Sequence, residues 1–157
     1  MRSQSPASPA SGLKPRASNT GPVAAAKAGA EDPVLAPDRG DPLTQAFDAA
    51  LACAQAAAAC ADACVVQADK ALTQCIRLHL DCADVCQTAA MVATRRAGAN
   101  APVVIGLLML AEALCRDCAA EAERHALPAC RRAADLARVC AEACLDARTA
   151  VAREQLQ

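Results

Sequence analysis

With 157 residues, 21% of them charged, and a formal net charge of −1, the chain has the size of one ordinary domain and no excess of positive charge. Its basic residues are not clustered, Trp and Tyr are absent and Phe47 is the only aromatic, so the electrostatic footprint and the stacking platforms of a nucleic-acid binder are both missing. The longest apolar run, 101–111, is too short to cross a bilayer, and no secretory or twin-arginine signal is visible; the expectation is a cytoplasmic protein without membrane or nucleic-acid partners.

In chain order, seven of the nine prolines and four of the six glycines fall within the first 42 residues, among Ser, Ala and other small residues with no hydrophobic period. Residues 1–40 are therefore expected to be a disordered tail, and residues 41–157 a folded domain. The tail is read as a solubilising extension, with an address that docks the domain on a partner or in a compartment as the alternative.

From Asp41 the texture changes to Ala, Leu, Val and Cys interleaved with Arg, Asp and Glu, which predicts four long helices. The first spans about 42–67, with Asp41 as N-cap and Pro42 at the first helical position. A second spans about 69–96 and stops at Gly98. A third begins near Pro102, behind Asn100, and continues to about His125. The fourth starts at Pro128 and frays near Glu154. Short joints make consecutive helices antiparallel, so the predicted fold is all-α, an up-and-down four-helix bundle.

Each predicted helix carries a version of one short string: C-A-D-A-C at 60–64, C-A-D-V-C at 82–86, C-A-A-E-A at 118–122 and C-A-E-A-C at 140–144. Spacings of three, four and seven keep residues on one helical stripe, so the thiols of each helix share the core-facing side. Arg77, Asp81, Asp84, Arg116, Asp117, Glu121, Arg131, Arg138 and Glu142 fall off the stripes and are read as a solvated face.

Eleven cysteines on matching stripes exceed what small buried hydrophobes explain. Disulfides fit poorly: the count is odd, the expected compartment is reducing, and Cβ atoms four residues apart on a helix are about 5–6 Å apart where a disulfide needs about 3.5–4.5 Å. Zinc and iron–sulfur clusters also use thiolates, but only Cys115 and Cys118 form a C-x2-C pair. Charge separates the metals. Zn²⁺ with four thiolates leaves about two buried negative charges per site, whereas one Cu(I) per thiolate leaves the interior near neutral, and soft thiolates favour Cu(I).

The expected ligands are Cys53, Cys60, Cys64, Cys75, His79, Cys82, Cys86, Cys115, Cys118, Cys130, Cys140 and Cys144, holding several Cu(I) ions, with no catalytic residues. His79 is either a core ligand or simply hydrogen-bonded; His125 is a ligand or a charge complement to a helix terminus. Met91 and Met109 fill gaps or touch an incoming ion. Ala57, Ala111, Ala122, Ala133 and Ala137 leave lateral room beside the thiols. Val104, Leu107, Leu108, Leu145 and Val151 are expected to close the end of the bundle that holds the chain termini. A thiol redox protein and a structural interaction bundle, with or without zinc, remain as alternatives.

The strings C-I-R-L-H-L-D-C-A-D-V-C (75–86), L-C-R-D-C-A-A-E-A-E-R-H (114–125) and C-R-R-A-A-D-L-A-R-V-C-A-E-A-C (130–144) together resemble the cysteine-rich four-helix-bundle copper storage proteins of bacteria. The resemblance, over about 43–157, implies Cu(I) along the bundle core, storage rather than catalysis, loading from one end, the cytosolic type and a homotetramer. Ala57, His79, Ala122, Ala133 and Ala137 stand where the family commonly carries further cysteines, which implies a smaller capacity.

Overall fold

The computed structural model describes residues 40–95 and 100–156; the expected tail, 1–40, lies outside these residues apart from Gly40, and so does the stop at Gly98. Helix α1 spans Pro42–Val66, α2 Thr73–Ala93, α3 Ala101–Ala122 and α4 Pro128–Glu154, with a single 3-10 turn at Lys70–Leu72 before α2. Each helix packs on two neighbours, α1 on α2 and α4, and α3 on α2 and α4, which is the ring of a four-helix bundle.

Local chemistry sets the helix ends. The Asp41 carboxylate accepts from the Thr44 amide at 2.9 Å and the Thr44 hydroxyl at 2.8 Å, and Pro42 occupies the first turn, where no amide hydrogen is needed. After α1 the chain turns through Ala68, whose φ of 51° is a left-handed conformation usually left to glycine. Asp69 then accepts from the Ala71 amide at 2.9 Å, so the second segment begins as a 3-10 turn and α2 proper starts at Thr73, later than predicted. Asn100 does not cap α3 through its side chain; its Nδ2 donates to the Arg95 carbonyl at 2.6 Å. Helix α3 ends at Ala122, and His125 sits in the turn beyond it.

One end of the bundle carries the α1–α2 and α3–α4 joints; Val104, Leu108 and Val151 are buried towards the opposite end, with Leu107 and Leu145 half-buried. That end is closed by ordinary packing, as expected. Elsewhere the interior is mostly alanine and cysteine. Met91 and Met109 correct the sequence reading: each is 52% exposed and fills no gap in the core.

Candidate metal centre

All eleven cysteines are free thiols and buried, none more than 1% exposed. The 3.6-residue period puts them there: every cysteine stripe faces the bundle axis while the charged residues between them face out. Two sets of four come together. Cys60, Cys64, Cys75 and Cys130 form an outer set near the joint end, and Cys53, Cys86, Cys115 and Cys140 an inner set; within each, the four sulfurs lie within 4.8 Å of one another.

In the outer set the Cys60 and Cys130 sulfurs are 3.4 Å apart, Cys64 and Cys130 3.7 Å, and Cys64 and Cys75 3.8 Å. Cys115 is central to the inner set, 3.4 Å from Cys86 and 3.7 Å from Cys53. Cys82 joins it at 3.9 Å from both Cys53 and Cys115, and Cys144 at 3.9 Å from Cys140. Cys118 donates instead to the Leu78 carbonyl at 3.2 Å. Among the described residues, no sulfur–sulfur contact of this length joins the outer set to the inner one.

Burial governs the proton state of three of the outer thiols. Desolvation pushes Cys60, Cys64 and Cys75 up, Cys75 to about 12, because a thiolate loses its water there. Deeper in, the nearby Cys140 sulfur raises Cys115, while Cys82 and Cys140, each lowered first by the neighbouring Cys115 thiol, are held below the ordinary thiol range. The raised thiols among them give up protons readily only to a soft cation that takes their place.

His79 is 1% exposed. Its Nδ1 lies 2.7 Å from the Cys75 carbonyl and 3.5 Å from the Cys75 sulfur. A carbonyl only accepts, so Nδ1 carries the hydrogen and Nε2 the lone pair. Nε2 is buried with no hydrogen-bond partner, a situation that costs about 1–3 kcal/mol.

His125 is brought to Glu121, with Nε2 3.1 Å from the carboxylate. Arg124 pairs with the same carboxylate at 3.2 Å, and His125 lines a shallow depression with Gln67, Asp69, Leu72 and Pro128 at the joint end. Glu121 is therefore half-buried and paired, and not part of a solvated face. Sequence reasoning also missed Glu112, 6% exposed, whose carboxylate accepts from Arg148 Nε at 2.7 Å and pairs with Arg116 at 2.8 Å. Its signal was available: Glu112 lies three residues before Cys115 and Arg148 four after Cys144, which sets both beside the thiol stripes.

Compared with known proteins, residues 40–149 match the family described as "Copper storage protein". Curated protein sequences gave no match. Among solved structures the chain is similar to a cytosolic copper storage protein from Streptomyces lividans in a five-copper form, with 38% identity, 69% of this chain and 92% of that one covered, and a TM-score of 0.65. The form of that protein loaded with 10 copper equivalents gives 38% identity, coverage of 69% and 84%, and a TM-score of 0.65. The Cu(I)-bound copper storage protein BsCsp3, from Bacillus subtilis, gives 25% identity, coverage of 67% and 96%, and a TM-score of 0.61. With this match falling on the helices that carry two buried sets of four cysteines, the chain belongs to the copper storage protein family.

Proposed function

We propose that this chain binds several Cu(I) ions along its core and stores them in the cytoplasm, keeping free copper low, and that it catalyses no reaction. The observation that carries this reading is the pair of all-cysteine sets, each with four buried sulfurs within 4.8 Å of one another. Sulfurs at 3.4–3.8 Å are close enough for one ion to bridge two of them, a metal–sulfur bond being about 2.3 Å on the zinc scale. The ligands are the eleven cysteines and His79. The relative described as cytosolic supports the location.

Neutrality favours copper over zinc here. The only buried carboxylate among the described residues, Glu112, is already paired with Arg148 and Arg116, and no cation lies among the buried residues to balance a zinc tetrathiolate. A redox role for the thiols needs an accessible, activated cysteine, and all eleven are buried. The copper-binding unit is the bundle, 41–157; residues 1–40 are dispensable for it and serve solubility or docking. The assembled form is a homotetramer.

Anaerobic titration of the reduced chain with Cu(I) against a competing chromophoric chelator tests the function. Storage requires several ions per chain bound before the chelator captures any. Immediate capture by a chelator of modest affinity, or one tight Zn²⁺ site instead, would sink it. Deleting residues 1–40 should leave the end point unchanged, and the solution mass of the loaded protein checks the tetramer.

A further inference from the structure

Geometry does not keep zinc out of the inner set. A tetrahedral zinc with bonds of about 2.3 Å places its four sulfurs about 3.8 Å apart. The inner sulfurs stand at 3.4 Å for Cys86 and Cys115, 3.7 Å for Cys53 and Cys115, and 4.0 Å for Cys86 and Cys140. Soft thiolates take either metal. Charge is what separates them, because a zinc tetrathiolate carries about two negative charges where one Cu(I) per thiolate leaves none. Discrimination at this site therefore depends on the charged groups beside it.

Those groups lie on the closed-end side of the set. Glu112 is on α3, one turn before Cys115, and Arg148 is on α4, one turn after Cys144; Cys144 meets Cys140 at 3.9 Å. Glu112 is the only buried carboxylate among the described residues, at 6% exposure. Both its oxygens are engaged, Oε2 by Arg148 Nε at 2.7 Å and Oε1 by Arg116 at 2.8 Å. A clamp between α3 and α4 needs no burial, and burying a carboxylate is costly even when it is paired. Here the negative partner is the one placed inside, on the thiol stripe, while both arginines reach water. Its charge also reaches the thiols: Cys144 is pushed up by the Cys140 sulfur first, then by burial, and Glu112 adds to these.

We infer that Glu112 is a specificity-determining residue: it sets a negative charge beside the inner thiols and ties up Arg148 and Arg116, so that a divalent ion finds no counter-charge there. A Cu(I) site, being neutral, is indifferent to that charge. This rests on the storage reading and adds to it the means by which zinc is refused. Glu112 touches no metal in this role and acts only through its charge and its two arginines.

The test is competition for Zn²⁺ between the reduced, full-length, metal-free chain and a chromophoric chelator under anaerobic conditions, with Cu(I) titrations alongside. Glu112→Gln keeps the size and an acceptor oxygen for Arg148 while removing the charge. Zinc binding should tighten roughly tenfold, with the Cu(I) end point unchanged. Adding Arg148→Leu to that variant returns the local net charge to its parent value and should return zinc binding to within about threefold of the parent. In a Cys115→Ser chain, which lacks the central sulfur of the inner set, Glu112→Gln should change nothing. If Glu112→Gln loses its helical circular dichroism, Arg148→Leu alone serves in its place: it leaves Glu112 less balanced, and zinc should bind more weakly. Zinc binding indifferent to either charge, a double variant as tight as Glu112→Gln, or an equal gain without Cys115 reduces Glu112 to a clamp between helices and overturns the inference, leaving storage standing. A parent chain that takes up fewer than two Cu(I) ions overturns the storage reading and this inference with it.

Discussion

Cys86 of α2 and Cys115 of α3 hold their sulfurs 3.4 Å apart, and Cys115 also meets Cys53 at 3.7 Å and Cys82 at 3.9 Å. One thiol thus touches three others, two on the adjacent α2 and one on α1 across the bundle. Replacing it should disturb the whole inner set: Cys115→Ala is expected to lower copper capacity by more than the single ion a lone thiol accounts for. Cys144→Ala, where Cys144 contacts only Cys140 among the sulfurs, should lower it by one ion at most. Parallel chelator titrations of the two variants check the contrast.

Proton release gives a second prediction. At neutral pH Cys60, Cys64 and Cys75, raised by desolvation, are protonated, so each incoming ion should displace about one proton per new thiolate. Uptake in weakly buffered solution should acidify it in proportion to copper added, and apparent affinity should fall as pH falls.

The same shifts fix the sign for the metal-free fold. A thiol whose folded value exceeds its unfolded one favours folding below the unfolded value and loses that contribution as pH rises. For Cys75 the window runs from 9.0 to about 12. Melting of the empty protein should therefore drop across this alkaline range, while the copper-loaded protein, whose thiols no longer titrate, stays level and melts higher. Far-ultraviolet circular dichroism is the probe, since the chain has neither Trp nor Tyr.

Glu112 provides a stability test apart from copper. Its removal leaves Arg148, with a side chain 32% exposed, without its partner on α3, and Arg116, at 59%, without its i,i+4 partner. Because both arginines reach water, Glu112→Ala should cost only about 1–2 kcal/mol, with Glu112→Gln milder. Leu108→Ala, at the closed end and 2% exposed in the parent, should cost about 2–4 kcal/mol. Thermal unfolding of the metal-free variants ranks the three.

Much of this was legible in the sequence, because one residue type both marked the core and implied its chemistry. Asp41 and Pro42 announced α1, and cysteines at three, four and seven predicted both the faces and the bundle. The α2 start was misplaced because Asp69 caps a 3-10 turn, which shares its N-terminal signal with an α-helix. Met91 and Met109 were misjudged since a position slightly off a stripe falls inside or outside according to helix rotation, which spacing does not set. Glu121 looked like a solvated charge and Glu112 was passed over; their burial depends on arginines or a histidine arriving from one turn away or from the next helix.

The alanines beside the thiols have a consequence of their own. Ala57, Ala122, Ala133 and Ala137 are each 2% exposed or less, and each differs from cysteine by a single heavy atom. The backbone that presents a methyl group at these positions would present a sulfur in the same direction, with no helix boundary, cap or turn altered. The amount of metal held is thus a graded trait, adjustable by one substitution at a time, while the fold beneath it stays constant.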